Sequence, residues 1–258
     1  MIDAGRLFDS ERIAAGYASA RPAVHRQLVT HLAAHLDRHW PVAVALDVGC
    51  GAGGSTAALA PLARRRLGID PFLVMVAAAR SAAAGAELFS VGTAEQLPVR
   101  DGSIDLIGAA GSLNFADLDA FAVEAARVAA PEGLLVVTDY RLGIPAGATA
   151  WAEEFPRRWP RPPARAVSAA SFAGTPWSVV MDDTVDVRLA MSLTRYVDYL
   201  VTDTGVESAV RSGETTEVEV RAACAAALGD TFRGEVLVTF PASVIALRRE
   251  GQSNFTAE

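Results

Sequence analysis

From residue 42 onward, short apolar runs alternate with alanine-rich stretches of helical spacing. The runs are VAVALDVG (42–49), RRLGID (65–70), ELFSVG (87–92), IDLIGAAG (104–111) and GLLVVTDY (133–140). Between them lie STAALAPLA, PFLVMVAAARSAAA and DLDAFAVEAARVAA. Strand, helix, strand at this rhythm predicts right-handed crossovers and an α/β fold, a doubly wound parallel sheet with helices on both faces. Ahead of it, residues 10–40 predict a helix, with Ile13, Val24, Leu28, Leu32 and Leu36 near helical spacing. Past Tyr140 the rhythm breaks. The segment to about residue 180 is dense in Pro, Gly, Arg and Trp, and a long irregular stretch inside a compact domain is usually functional or disordered. Three of the four tryptophans, Trp151, Trp159 and Trp177, fall here, which favours an ordered cap over a pocket. The tail predicts a strand near 183–191, helices near 193–212 and 214–228, and a long strand near 235–248. The expected division is 1–40 as N-terminal cap, 41–140 as ligand-binding core, 141–180 as substrate lid and 181–258 as completion of the sheet.

Composition narrows the function. The chain has 258 residues, 51% of them hydrophobic and 21% charged. No apolar run reaches the roughly 18 residues of a membrane span. No basic, apolar and small-residue series opens the chain, so no secretion signal is expected. Two cysteines, Cys50 and Cys224, make no disulfide framework and suit a reducing cytoplasm. The net charge of −7 argues against a nucleic-acid partner. All 23 Lys and Arg residues are arginine, which removes the P-loop lysine, Schiff-base chemistry and a lysine general base.

The chemistry concentrates in LDVGCGAGGST, residues 46–56, where Gly49, Gly51 and Gly54 satisfy G-x-G-x-x-G after an apolar run. That pattern lets backbone approach a dinucleotide pyrophosphate. Asp47 argues otherwise: at about 5 Å and an effective dielectric near 20, it would oppose a pyrophosphate charge by roughly 3 kcal/mol. The same carboxylate suits an ammonium or sulfonium, while the N–H groups at 53–56 and the helix dipole favour an anion. Asp70, ending the next strand, can accept from a ribose diol. Both candidate cofactors carry that ribose, so Asp70 does not choose between them; a zwitterionic amino acid attached to adenosine, S-adenosylmethionine, meets the cation and anion demands together.

Four motifs in order then resemble the class I S-adenosylmethionine-dependent methyltransferases, in particular the small-molecule enzymes related to quinone-biosynthesis methyltransferases. LDVGCGAGGST is similar to that family's first motif, and GIDPFLVM, GTAEQLPVRDGSIDLI and EAARVAAPEGLLVV to its following ones. The resemblance covers residues 10–140. It implies a Rossmann-like, mostly parallel seven-stranded sheet with its last strand antiparallel. It also implies a cofactor site of Tyr17, Asp47, Gly49, Cys50, Gly51, Asp70, Pro71, Met75, Thr93, Ala94, Glu95 and Gly111. Asp70 would meet the ribose and Met75 the adenine. Tyr17, and with it Arg21, matches a segment that in relatives folds over the methionine end. Thr93 stands where the family often has Asp, so the adenine contact would pass to backbone at Ala94 and Glu95. Asn114 stands where many relatives have His beside the transferred methyl.

The implied activity is methyl transfer to a small, apolar or aromatic metabolite, at oxygen, nitrogen or carbon, as in natural-product biosynthesis. Catalytic candidates are Asn114, Tyr140 and His25. Substrate candidates are Trp151, Trp159, Trp177, Tyr196 and Tyr199, the two tyrosines being three apart on a helix; core packing is the rival for each. The alternatives are a protein of the same fold that binds the cofactor but catalyses a cyclisation, and a nicotinamide oxidoreductase resting on the glycines alone. His31, His35 and His39 share a helical face, but HLAAH lacks the glutamate of H-E-x-x-H, so no metal is expected. Cys50 lacks a neighbouring cation to activate it, and Cys224 reads as core. A homodimer is compatible with the sequence, which leaves the oligomeric state open.

Overall fold

A computed structural model describes residues 7–250 of the chain; residues 1–6 and 251–258, the ends of the first and last expected divisions, lie outside it. Helices α1 (Glu11–Ala20) and α2 (Val24–His35) lead into strands β1 (Val42–Val48), β2 (Ala63–Asp70), β3 (Glu87–Val91), β4 (Ile104–Ala110) and β5 (Ala129–Tyr140). Helices α3 (Gly54–Ala58), α4 (Leu73–Ala82) and α5 (Leu118–Val128) connect them. There follow β6 (Ile144–Pro145), α6 (Thr149–Arg158), β7 (Trp177–Met191), α7 (Leu193–Leu200), α8 (Thr204–Ser212), α9 (Glu217–Leu228) and β8 (Val236–Arg249).

The strand order is β3-β2-β1-β4-β5-β8, with β7 on the far side of β8 and the two-residue β6 also paired to β8. Strands β1 to β5 pair in parallel. β8 runs antiparallel between β5 and β7, with Val136 opposite Ala246 and Asp183 opposite Val244. The α/β reading therefore holds, with the last strand antiparallel, but the sheet has eight strands among the described residues where seven were expected, the two-residue β6 being additional.

Side-chain alternation explains the layers. On β1, Ala45 joins the core under α2, α3 and the C-terminal helices, while Leu46 and Val48 join the core under α5. On β5, Leu134 and Val136 face the first layer and Leu135 and Val137 the second. A period of two with both faces covered produces continuous apolar strands.

Three element boundaries differ from the sequence reading. The helix expected over 10–40 is two helices, because Pro22 drives Arg21 to φ −64°, ψ 130°. The helix expected over 193–212 breaks at Asp203, whose carboxylate accepts from the Gly205 N–H at 2.8 Å and caps α8. The 141–180 segment contains α6, and α6 packs into the larger core through Trp151 and Phe155.

Candidate active site

The five parallel strands release their chains at one sheet edge, and the loops that follow surround a cavity of about 710 Å³. Ligands of open α/β sheets bind at this edge, where the strand order reverses, here between β1 and β4. Gly49 to Ser55 follow β1, Asp70 to Phe72 follow β2, Gly92 to Glu95 follow β3, Gly111 to Ala116 follow β4 and Asp139 to Arg141 end β5; all line the cavity.

Backbone geometry fixes the glycine loop. Gly49 has φ +70°, and a Cβ there would stand 2.2 Å from the Ser112 Cβ. The Ser112 hydroxyl donates to the Val48 carbonyl at 2.6 Å, clasping the β1 and β4 loops together. Asp70 reaches across from β2, where its Oδ2 accepts from the Gly51 N–H and its Oδ1 from the Phe72 N–H, both at 2.9 Å. Burial pushes the Asp70 carboxyl up, and these two N–H donors oppose the rise.

Asp47 does not line the cavity, which corrects its assignment as a cofactor contact. It is 1% exposed and turns beneath the loop, where Oδ2 accepts from the Ser55 and Thr56 hydroxyls at 2.6 Å each. Burial raises its pKa to about 6, against the pull of those two hydrogen bonds. Its work is to hold α3 onto β1. The expectation of a helix dipole here also changes: α3 has only five residues, too few for a substantial macrodipole.

Tyr17, Gly49, Cys50, Gly51, Asp70, Pro71, Met75, Thr93, Ala94, Glu95 and Gly111 all line the cavity. Met75 does so from the buried face of α4, and the Glu95 carboxylate accepts from the Asp117 N–H at 2.9 Å, ahead of α5. Burial first, and then the nearby Asp47 and Asp70 charges, push the Cys50 thiol up, which opposes a nucleophilic thiolate.

The catalytic candidates Asn114, Tyr140 and His25 also line it. Asn114 Nδ2 donates to Asp139 Oδ2 at 3.3 Å, and Asp139 Oδ1 accepts from the Tyr140 N–H at 2.8 Å. His25 meets the Tyr140 ring edge-on at 5.6 Å. Burial, and secondarily the Arg21 cation, lower the His25 pKa to about 4, so its ring is neutral near pH 7. Burial raises that of Tyr140.

Of the substrate candidates, only Tyr199 lines the cavity. Trp151 and Trp159 pack with Phe155 and are 7% and 4% exposed. Trp177 lies in the core under α5 and donates to the Ala122 carbonyl at 2.9 Å. Tyr196 stacks on Phe232 and donates to the Gly143 carbonyl at 2.6 Å. All four are core residues, since burying large rings with their polar atoms satisfied accounts for Trp177 and Tyr196 and burial alone for the other two.

Sequence reasoning missed Phe8, Phe72 and Phe115, whose rings cluster at the cavity with centroid separations of 6.3 Å and 5.3 Å from Phe8. It also missed Ser112 and Asp139 as lining residues; of the arginines of 157–165, read from the sequence as solvated loop charge that could attract an anionic acceptor, Arg161 lines the cavity. The X-Pro break at Arg21–Pro22 was the one available signal that α1 ends beside the site. The histidine face is partly engaged, with His31 Nε2 2.8 Å from Asp183 Oδ2. Cys224 is buried in core.

Residues 46–137 match the model of a family described as methyltransferase domain. Over 130 residues the chain is 27% identical to a protein of Dictyostelium discoideum described as a methyltransferase, covering 50% of this chain and 48% of that one. Over 100 residues it is 36% identical to the uncharacterized methyltransferase YcgJ of Bacillus subtilis, covering 37% and 40%. The chain thus spans about half the length, or less, of these curated relatives. Among solved structures, one described as a type II methyltransferase of Anaeromyxobacter dehalogenans superposes with a TM-score of 0.70 at 24% identity, covering 90% of this chain and 99% of that one. The [4+2]-cyclase SpnF superposes with a TM-score of 0.55 at 21% identity, covering 88% and 81%. The fold is the Rossmann-like one that these solved structures share. The likeness to a methyltransferase domain is carried by residues 46–137, on a fold shared with these solved structures.

Proposed function

We propose that this protein binds S-adenosylmethionine in the switch-point cavity and transfers its methyl group to a small, apolar or aromatic metabolite. The observation that carries the reading is the convergence of all five carboxyl-end loops on one cavity, with Asp70 and the positive-φ Gly49 and Gly51 at its centre. The residues suit the cofactor chemically. Asp70 keeps further lone pairs for a ribose diol. Met75, Pro71 and Phe72 give an apolar slot for adenine beside Thr93, Ala94 and Glu95, and Tyr17 closes over Gly51 at 3.8 Å from a Cβ placed there.

S-adenosylmethionine supplies a methyl group already activated on a cationic sulfur. The protein's own task is then alignment and exclusion of water. Asn114, fixed by Asp139, is suited to orient the acceptor. His25 and Tyr140 are suited to hold hydrogen bonds rather than to remove protons: the imidazole is too weak a base and the phenol too weak an acid near pH 7. This favours acceptors that need little help in losing a proton.

Calorimetry with S-adenosylmethionine, S-adenosylhomocysteine and NAD tests the reading. The adenosyl ligands should bind in the micromolar range, and Asp70→Ala should weaken them by about 10- to 100-fold. Preference for NAD would overturn it. A second reading, cyclisation without methyl transfer, draws on Asn114 in the place of a histidine and on the shared fold of SpnF. Turnover that releases no S-adenosylhomocysteine would favour that reading.

A further inference from the structure

The two edges of the sheet are finished differently. At one, β3 is five residues long. At the other, β7 runs for 15 residues and pairs, among the described residues, only with β8. A long strand edge presents a row of unpaired N–H and C=O groups to any matching strand. From Met181 to Met191 the register with β8 is regular, its one shift falling between Val179 and Met181. Proline and lysine, two common guards of such an edge, are both missing from β7. Its side chains alternate. Val187 and Met191 enter the core and Asp183 lies 2.8 Å from His31 of α2, while Asp182, Thr184, Asp186, Arg188 and Ala190 are exposed. The Gln27 side chain donates to the Arg188 carbonyl at 3.3 Å, so that carbonyl points away from β8. By the period of two, the main chain of Asp182, Thr184 and Asp186 faces the open edge as well.

We propose that this edge binds a second copy of the chain: the two β7 strands pair antiparallel about a two-fold axis at Val185 and join the two sheets into one. A two-fold pairing sets residues at equal distances from the axis opposite one another, on the same face of the sheet. The charges of β7, which are Asp182, Asp183, Asp186 and Arg188, then select the axis. An axis at any of those four opposes the residue to its own copy, and one at Thr184 opposes Asp182 to Asp186 twice. An axis at Val185 sets Asp182 against Arg188 twice and Thr184 against Asp186 twice. Asp183, held by His31, then meets Val187. An axis at Val187 also avoids like charges, through Asp186 and Arg188, but overlaps only residues 183–191 where Val185 overlaps 179–191. Charges that would repel a misaligned strand therefore attract a second copy in one register. The same register brings the exposed Val180 to Ala190, next to the exposed Leu237 of β8. No residue of β7 lines the cavity, so the inference stands apart from the methyltransferase reading.

Sedimentation equilibrium of the intact protein over a range of concentrations tests the pairing. The wild type should associate as a dimer and no further, because a two-fold edge closes on itself. Asp182→Arg and Arg188→Asp should each weaken the dimer by about 10- to 100-fold, since either one opposes like charges twice. The double variant Asp182→Arg/Arg188→Asp should restore it. Thr184→Pro removes an N–H from the open edge and none from the ladder with β8, and it too should shift the protein to monomer. A monomeric wild type, an open-ended series of oligomers, or a dimer indifferent to the single reversals overturns the proposal. So does a double variant no tighter than the single ones, or restoration by Asp186→Arg/Arg188→Asp in its place, which would move the axis off Val185. Should a single reversal fail to fold, the double variant and Thr184→Pro decide against the wild type.

Discussion

On the side of β1, β2 and β4, main chain shapes the cavity: glycines at positive φ, a serine clasp between two loops, and a carboxylate that grips two backbone N–H groups. Elsewhere in the same cavity the lining is side chains, the rings of Tyr17, Tyr140 and Tyr199 and the cations Arg21 and Arg161, drawn from four separate stretches of chain. The first kind of wall depends on conformations that few residues can adopt. The second depends on which distant segments happen to meet. Substitution should therefore act through folding and cofactor binding on the one side, and through acceptor choice on the other.

The sharpest way to break this comparison is Gly49→Val. Both the positive φ and the overlap with Ser112 must be relieved, so a stability loss of about 3 kcal/mol or more is expected, with S-adenosylhomocysteine binding lost. Urea titration with a ligand-binding assay measures both; a variant that folds and binds normally would refute the account of this wall.

Next in size is an opposition in pH dependence. Asp47 has a folded pKa of about 6 against an ordinary 3.8, so the folded state holds its proton more tightly and the contribution to stability falls as pH rises from about 4 to 6. His25 has a folded pKa of about 4 against an ordinary 6.5, so its contribution is present above that range and is lost as pH falls from about 6.5 to 4. The two slopes, each on the order of 1 kcal/mol per pH unit at most, oppose each other. Asp47→Asn should leave stability rising with pH across this window, and His25→Phe should leave it falling. Denaturant midpoints at pH 4.5 and about 6 read the sign; the same sign in both variants would contradict the assignment.

A smaller effect distinguishes the two tyrosines of α7. Tyr196→Phe removes a buried hydrogen bond to Gly143 and should cost about 1 kcal/mol without touching ligand binding. Unchanged stability, or weakened binding, would return Tyr196 to the cavity. Smallest is Gly54→Ala, whose added Cβ meets nothing within 4 Å and needs no positive φ. It should stabilise the protein by about 0.5 kcal/mol, seen as a small rise in Tm.

The contrast also explains what could be read from the sequence. Five strands, their order of alternation and the glycine loop were legible because each is governed by local rules of period two, helical spacing and positive φ. Asp70 was legible as the residue closing β2. Asp47 was misread because spacing alone does not say whether a carboxylate faces the ligand or the helix beneath the loop. The tryptophans of 141–180 looked like a lid since nothing in their spacing announces that α6 packs into the core. Phe8 and Arg161 reach the cavity through tertiary packing, which has no signature in their immediate neighbours.

The place of β8 has a consequence for how the protein is made. Residues 236–249 fill the slot between β5 and β7, so the strand that joins the parallel half of the sheet to its outer edge is the last to be synthesised among those described. More than a hundred residues separate the end of β5 from the end of β8, on the order of ten seconds of translation. Throughout that interval β5 presents an open edge of Leu, Val and Thr, the kind of edge on which nascent chains pair wrongly. Completion of this sheet thus waits on the synthesis of β8, and its hazard lies in the wait.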